Sequence, residues 1–314
     1  MNDKMSVGFV GLGLMGNALA HRLIEANHSV IGFDVDENKR KAFRSIGAIS
    51  ASSLADIAAH GTPIILSVFD TDQVEDVLNA LAGLLGSRSG KIIICTSTCD
   101  PERLTDIGIR AAEHGLRLVE APISGTSDQV LRGRGVGLIG GDVAAIDEVK
   151  EILDVLFQRR FYLGQIGNAG RAKLAINLIL GLNRLALAEG LVFAERMGLD
   201  PEAFLNVARG AASYSQVMDT KGPKMVRGDF TPEGRVKQTL KDFHLMLDQA
   251  RKLEQQLPLA ALNVQMLEAC VRNGEGEQDN SIVIQEIRRR AAVSLKSNSS
   301  PPAFTESRDH YGER

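Results

Sequence analysis

The hexapeptide Gly11-Leu12-Gly13-Leu14-Met15-Gly16 constrains this chain more than any other feature. It follows an apolar run, Val7 to Val10, and opens an amphipathic stretch, Asn17 to Glu25. That order reads as strand, glycine turn and helix. The glycines have separate jobs. Gly11 allows a tight turn, Gly13 lets the backbone approach a pyrophosphate, and Gly16 lets helix and strand pack closely. The helix start adds unpaired N–H groups and the positive end of its dipole. A second apolar run, Ser29 to Phe33, ends in Asp34, about twenty residues past the glycines, where a ribose-binding acid belongs. An ordinary glycine turn with a solvated Asp would not require this order of elements. Gly11 through Gly16 and Asp34 are therefore the expected cofactor-binding residues.

Asp34 also bears on cofactor choice. A carboxylate there accepts hydrogen bonds from both ribose hydroxyls and would repel a 2′-phosphate. The next residues are Val35, Asp36 and Glu37; Lys39, Arg40 and Lys41 come later, on the expected following helix. The reading is NAD, with NADP the less favoured choice.

From Ser6 to about Gly164, short apolar runs alternate with helical patterns. Ile64 to Phe69 and Lys91 to Thr96 read as buried parallel strands, followed by helices over Asp70 to Leu85 and Pro101 to His114. Leu116 to Glu120, Gly135 to Gly140 and Arg160 to Leu163 read as further strands, and Asp142 to Phe157 as a helix. This alternation predicts an α/β fold with an N-terminal Rossmann-type doubly wound sheet. Ligands bind at the carboxyl ends of such strands, so the residues there, Val68 and Phe69 among them, are the expected cofactor contacts. After Gly167 the strand signal stops. Ala169 to Met197 reads as one long helix, apolar on nearly every face, and Pro201 to Arg209, Gln216 to Lys221, Thr239 to Leu253 and Pro258 to Asn273 continue as helices. The expected division is a dinucleotide-binding domain over 1–165, an all-α domain over 166–291 and a disordered tail over 292–314, where a Ser-Pro-rich break cannot bury enough surface to order itself.

At 314 residues the chain is long enough for two such cores. A formal net charge of -3 gives no basic field for nucleic acid. Three cysteines without a C-x-x-C pair fit a reduced cytoplasmic protein, and neither a disulfide framework nor a metal site. The first strand follows Lys4 at once, leaving no room for a signal peptide. The apolar stretch Leu174 to Phe193 is interrupted by Asn177, Asn183, Arg184 and Glu189, so it reads as a buried helix and not a membrane span.

Three segments are candidates for chemistry. In Glu120-Ala121-Pro122-Ile123-Ser124-Gly125-Thr126, directly after a strand, Ser124, Gly125 and Thr126 offer two hydroxyls and an unobstructed N–H, which suits a carboxylate or phosphate. In Gly167 to Asn177, Lys173 and Asn177 are four apart and share a helix face. A Lys packed among apolar neighbours has its ammonium form disfavoured, so its pKa falls toward neutrality and it can exchange protons. The third is Lys241-Asp242, a charged pair that taken alone reads as a solvated face. A turn, Gly228 to Pro232, precedes its helix.

Together these residues resemble the β-hydroxyacid dehydrogenase family, which includes hydroxyisobutyrate dehydrogenases and tartronate semialdehyde reductases and lies in the 6-phosphogluconate dehydrogenase superfamily. Gly8 through Gly16 is similar to the family's cofactor signature, and Ser97-Thr98 followed by Pro101 to its second cofactor segment. Ala121-Pro122-Ile123-Ser124-Gly125 is similar to its substrate loop, and Gly167 through Lys173 to Asn177 to its catalytic signature. Two positions depart: Thr126 stands where a second glycine is usual, and Cys95 where an Asp is usual.

The resemblance implies an NAD-dependent oxidoreductase that interconverts a small β-hydroxy acid and its semialdehyde. Lys173 is then the general acid/base and Asn177 its neighbour at the substrate. Ser124, Gly125 and Thr126 bind the substrate carboxylate, and Lys241 closes the site from the second domain, touching substrate and cofactor. The rest of the substrate is expected near Asp128, Gln129, Tyr214, Met218 and Arg235. An imine reductase usually replaces the lysine, and a phosphogluconate dehydrogenase has a longer C-terminal domain. A non-catalytic NAD-binding regulator has no need of Lys173 and Asn177. The family also implies a homodimer or homotetramer built through the long apolar helix.

Overall fold

The structure, a computed structural model, describes residues 6–86 and 89–290. The tail expected over 292–314 lies outside the described residues.

The strands are β1 (Ser6–Val10), β2 (Ser29–Phe33), β3 (Ile49–Ser50), β4 (Ile64–Leu66), β5 (Ile92–Cys95), β6 (Arg117–Glu120), β7 (Ile123–Ser124), β8 (Val136–Gly141) and β9 (Arg159–Tyr162). They run in the order β3-β2-β1-β4-β5-β6-β8-β7, with β9 paired to β8. β1 to β6 pair in parallel with one another. β8 runs antiparallel to β6 and β7. The chain leaves β1 toward β2 and β3, then returns to lay β4 on its other side. That reversal opens a crevice at the carboxyl ends of β1 and β4, the place where such sheets bind ligands.

Alternation along the strands sorts side chains into two cores. Val7, Phe9, Ile65, Ile92 and Ile94 join Leu19 and Leu23 on one face. Val10, Ile64, Leu66, Ile93 and Cys95 join Leu78, Leu81, Leu104 and Ile107 on the other. Both faces are thus covered, which is why these strands read as continuous apolar runs. The doubly wound α/β sheet and the helical C-terminal part are as the sequence predicts. The helix expected over Asp142 to Phe157 is two helices, Val143–Glu148 and Lys150–Leu156, broken at Val149, whose side chain is buried in the first core.

Two compact units emerge, and they do not follow chain order. One runs to Leu178 and takes in Lys241–Gln256; the other holds Ile179–Leu240 and the chain from Leu257 on. The division passes inside two helices, Asn168–Arg196 and Val236–Lys252. Lys241, expected from the second domain, therefore stands in the unit that holds the sheet. The helical unit packs Leu185, Leu191, Leu205, Met225, Met266 and Ile284 together. A buried ion pair, Lys221 Nζ to Asp279 Oδ2 at 2.8 Å, braces it. The Asn168–Arg196 helix is long and apolar enough, by length and composition, to cross a membrane, and 39% of its most apolar window is buried. Ile179 and Phe193 on it, and Met197 just after it, stay exposed.

Candidate active site

The glycine turn divides its labour physically. Gly11 has φ +94°, and a side chain there would also collide with the Ser67 carbonyl. A Cβ on Gly16 would strike the Gly11 carbonyl oxygen. These two glycines are demanded by the fold. Gly13 is different: a Cβ there meets nothing within 4 Å. It is the N-cap of the Leu14–Glu25 helix and no side chain caps it. Open space above uncapped N–H groups fits a pyrophosphate.

Asp34 has structural bonds of its own. Its Oδ2 accepts the Leu12 N–H at 2.9 Å and its Oδ1 the Asp36 N–H at 2.9 Å, so it ties the glycine turn to the end of β2. The basic residues that the sequence sets apart from Asp34 come back to it on the Glu37–Ser45 helix. Lys39 Nζ lies 3.5 Å from Oδ2, and Arg40 Nη1 donates to the Asp34 and Val35 carbonyls at 2.5 and 3.2 Å. At the next strand ends, the Val68 N–H donates to Ser97 Oγ at 3.0 Å, and that hydroxyl donates to the Val68 carbonyl at 2.9 Å. The Phe69 N–H is held by Gln73 Oε1 at 2.9 Å.

Lys173 lies near the start of the Asn168–Arg196 helix and is 7% exposed. Burial lowers its pKa from 10.5 to about 8; the Asp242 carboxylate works against that shift and the Lys241 ammonium adds to it. Its amine is therefore within reach of both protonation states near neutral pH. One turn on, Asn177 Nδ2 donates to Asp242 Oδ2 at 2.9 Å. Lys241 Nζ sits 3.0 Å from Asp242 Oδ1, donates to the Thr98 carbonyl at 2.6 Å and lies 5.8 Å from the Phe69 ring centre. The Lys241-Asp242 pair is thus no solvated face. Its side chains are 14% and 9% exposed, and they join the Thr98 segment to the lysine helix. Gln249 reinforces the link, donating to Asp100 Oδ2 at 3.1 Å. Glu120, which the sequence shows only as the acid ending a strand, accepts N–H groups from Gly167 and Gly170 at 2.8 Å each and from Ala169 at 3.2 Å.

Residues 6–164 match the profile of the NAD binding domain of 6-phosphogluconate dehydrogenase, and residues 167–287 that of the NAD-binding region of NADP-dependent 3-hydroxyisobutyrate dehydrogenase. The 2-hydroxy-3-oxopropionate reductase of Escherichia coli is 30% identical over 93% of this chain and 100% of its own length. The chain belongs to the β-hydroxyacid dehydrogenase family. Glyoxylate/succinic semialdehyde reductase 1 of Arabidopsis thaliana is 31% identical over 90% of this chain and 99% of its own. The crystal structure of a 3-hydroxyisobutyrate dehydrogenase from Salmonella typhimurium superposes with a TM-score of 0.82 at 27% identity, covering 90% of this chain and 99% of that one. Cytokine-like nuclear factor N-PAC of Anopheles gambiae is 29% identical over 91% of this chain, which spans only 51% of that protein's length.

The chain's departure from the family's substrate loop has a visible consequence. Ser124 ends β7, and Gly125 takes φ +142°, a conformation that suits glycine. Thr126, in place of the usual second glycine, is the N-cap of the short Ser127–Leu131 helix. Its Oγ1 accepts the Gln129 N–H at 3.2 Å, and its own N–H donates to Gln129 Oε1 at 2.9 Å. This reciprocal capping box takes the Thr126 N–H and leaves its hydroxyl proton as the donor it can offer an anionic ligand. Ser124 and Gly125 remain as the less committed part of the loop. The side chains expected around the rest of the substrate have other partners: Asp128 with Arg132 at 3.0 Å, the Tyr214 hydroxyl with Asp219 at 2.7 Å, and Arg235 with Glu277 at 3.2 Å. Met218 is buried in the helical core.

Proposed function

We propose that this chain is an NAD-dependent oxidoreductase that interconverts a small β-hydroxy acid and its semialdehyde, with Lys173 as the general acid/base. The observation that carries the reading is a buried lysine with a pKa near 8, on one helix face with Asn177 and joined through Asp242 and Lys241 to the Thr98 segment. The nicotinamide supplies the hydride acceptor or donor when bound. Gly11 through Gly16, Asp34, Val68, Phe69 and Thr98 hold the cofactor. The Gly13 opening takes the pyrophosphate, and Asp34 keeps acceptor capacity for the ribose hydroxyls. Ser124 and Gly125 grip the substrate carboxylate. In oxidation neutral Lys173 takes the hydroxyl proton; in reduction its ammonium returns a proton to the carbonyl oxygen. Asn177 turns its amide NH2 to Asp242, which leaves its oxygen for the substrate or for the lysine.

The same reading extends to the protein's surroundings. We propose a cytoplasmic enzyme with no nucleic-acid or membrane partner. The exposed Ile179 and Phe193 on the Asn168–Arg196 helix, with Met197 just after it, support self-association into a homodimer or homotetramer.

A panel of C3 to C5 hydroxy acids with NAD, and of the matching semialdehydes with NADH, tests the activity by absorbance change. Turnover of at least one carboxylate-bearing pair, and none of its decarboxylated analogues, is the expected result. An analogue without the carboxylate leaves buried donors unpaired. Turnover of cyclic imines alone would refute the reading.

A further inference from the structure

Glu120 closes β6 with a side chain only 1% exposed. Burial pushes its carboxyl above the usual carboxylate range, against the pull of the three N–H groups bonded to it. Those donors, Gly167, Ala169 and Gly170, are the groups at the start of the Asn168–Arg196 helix that no carbonyl inside the helix can satisfy. The slot around the carboxylate is cut by glycines. A Cβ on Gly140 would lie 2.9 Å from Oε2, and one on Gly170 would lie 2.8 Å from Oε1. Both glycines leave room for the carboxylate that a side chain would crowd.

A helix start is ordinarily capped by a Ser, Thr, Asp or Asn at its own N-cap. Such a cap stabilises the helix but does not fix it to anything else. Here the cap is reached from a sheet strand 47 residues earlier in the chain, at the cost of burying a carboxyl group. A clamp of that kind sets the helix position relative to β6. Lys173 follows Gly170 by three residues, so the clamp also sets where the lysine side chain begins. A misplacement of about 1 Å in a reacting group can lower a rate by about a hundredfold.

We infer that Glu120 is a positioning residue for the Lys173 amine: its carboxylate clamps the first turn of the lysine helix to the end of β6 and so places Lys173 for proton transfer. The inference rests on the proposed acid/base role of Lys173. Glu120→Gln removes one acceptor and sets an NH2 group against the N–H donors. Glu120→Asp keeps the acceptors but retracts them by one methylene. Melting temperature, NADH affinity by fluorescence titration, and kcat with KM are compared with the unaltered protein. The Lys173 amine is followed separately by NMR after reductive 13C-methylation, which reads its titration without turnover. In Glu120→Gln, kcat should fall by about tenfold or more. NADH affinity and substrate KM should stay within about threefold of the unaltered values, and the Lys173 titration should move from its position near pH 8. Glu120→Asp should recover part of kcat. A lowered melting temperature with unchanged kcat and unchanged Lys173 titration would overturn the inference and leave a helix cap only. If the Gln variant does not fold, the Asp variant carries the same comparison. If the unaltered protein turns over no substrate in the panel, the proposed reaction fails, yet the NMR titration still decides the positioning claim. A shift in the variants then supports it, and an unmoved titration overturns it.

Discussion

Asn177 and Asp242 lie 65 residues apart and share a hydrogen bond of 2.9 Å, amide nitrogen to carboxylate oxygen. The same carboxylate faces Lys241 and raises the affinity of Lys173 for its proton. One buried anion thus orients the asparagine and moderates the lysine. Removing its charge should push the Lys173 pKa further below 8, since burial then acts with less opposition. Asp242→Asn is expected to lower kcat by about tenfold and to move the lysine limb of the pH–rate profile to lower pH. A profile unchanged in both height and position would contradict this.

The glycine turn allows two substitutions with opposite signatures. Gly13→Ala meets open space, so the melting temperature should hold while NADH affinity falls by about tenfold or more, because the methyl enters the pyrophosphate's path. Gly16→Ala drives a methyl into the Gly11 carbonyl and should cost about 1–3 kcal/mol of stability. Chemical denaturation paired with cofactor titration separates them. Equal stability loss in both variants would refute the distinct role of Gly13.

NAD preference is expected to depend on Asp34. Asp34→Asn keeps an acceptor for the Leu12 N–H and loses the charge that repels a 2′-phosphate. Lys39, 3.5 Å from the carboxylate, and Arg40 beside it already stand where a phosphate would be met. The single substitution should therefore narrow the NAD-to-NADP ratio of kcat/KM, and adding Val35→Arg should narrow it further or invert it. A native preference for NADP of about tenfold would contradict the role given to Asp34.

The parts of this protein that were legible in the sequence are those in which local pattern and tertiary role coincide. β1, β2, β4 and β5 are covered on both faces, so each shows as an unbroken apolar run. The glycine turn is legible because its backbone demands act within six residues. β3 and β7, two residues each, are too short to carry a period. Lys241-Asp242 was legible as a candidate pair but not in its role: its pattern alone is that of a solvated helix face, and the role of Asp242 comes from Asn177 on another helix. Glu120 gave one clue, an acid at the buried end of an apolar strand. The glycines that make room for it, Gly140 and Gly170, lie 20 and 50 residues further on. Thr126 stood out as a departure from the family, but its capping box with Gln129 follows from the turn into a short helix.

Burial of Lys173 should also be visible in stability. Its folded value near 8 lies below the 10.5 of an exposed lysine, so the unfolded chain binds more protons between those two values. Stability therefore rises with pH across that window, and below about pH 8 the buried ammonium costs on the order of 3 kcal/mol. Lys173→Met, which removes the charge and keeps the bulk, should melt at a higher temperature than the unaltered protein at pH 7. That advantage should shrink from pH 8 toward pH 10. A constant difference across this range would show that the lysine is ionised without penalty.

The most direct measurement is turnover by Lys173→Ala, with folding confirmed by circular dichroism and NADH affinity by titration. Loss of an acid/base group predicts NADH binding within about threefold of the unaltered protein and a kcat lower by about two to four orders of magnitude on the best substrate of the panel. Near-normal turnover in the folded, NADH-binding variant would contradict the assignment of Lys173.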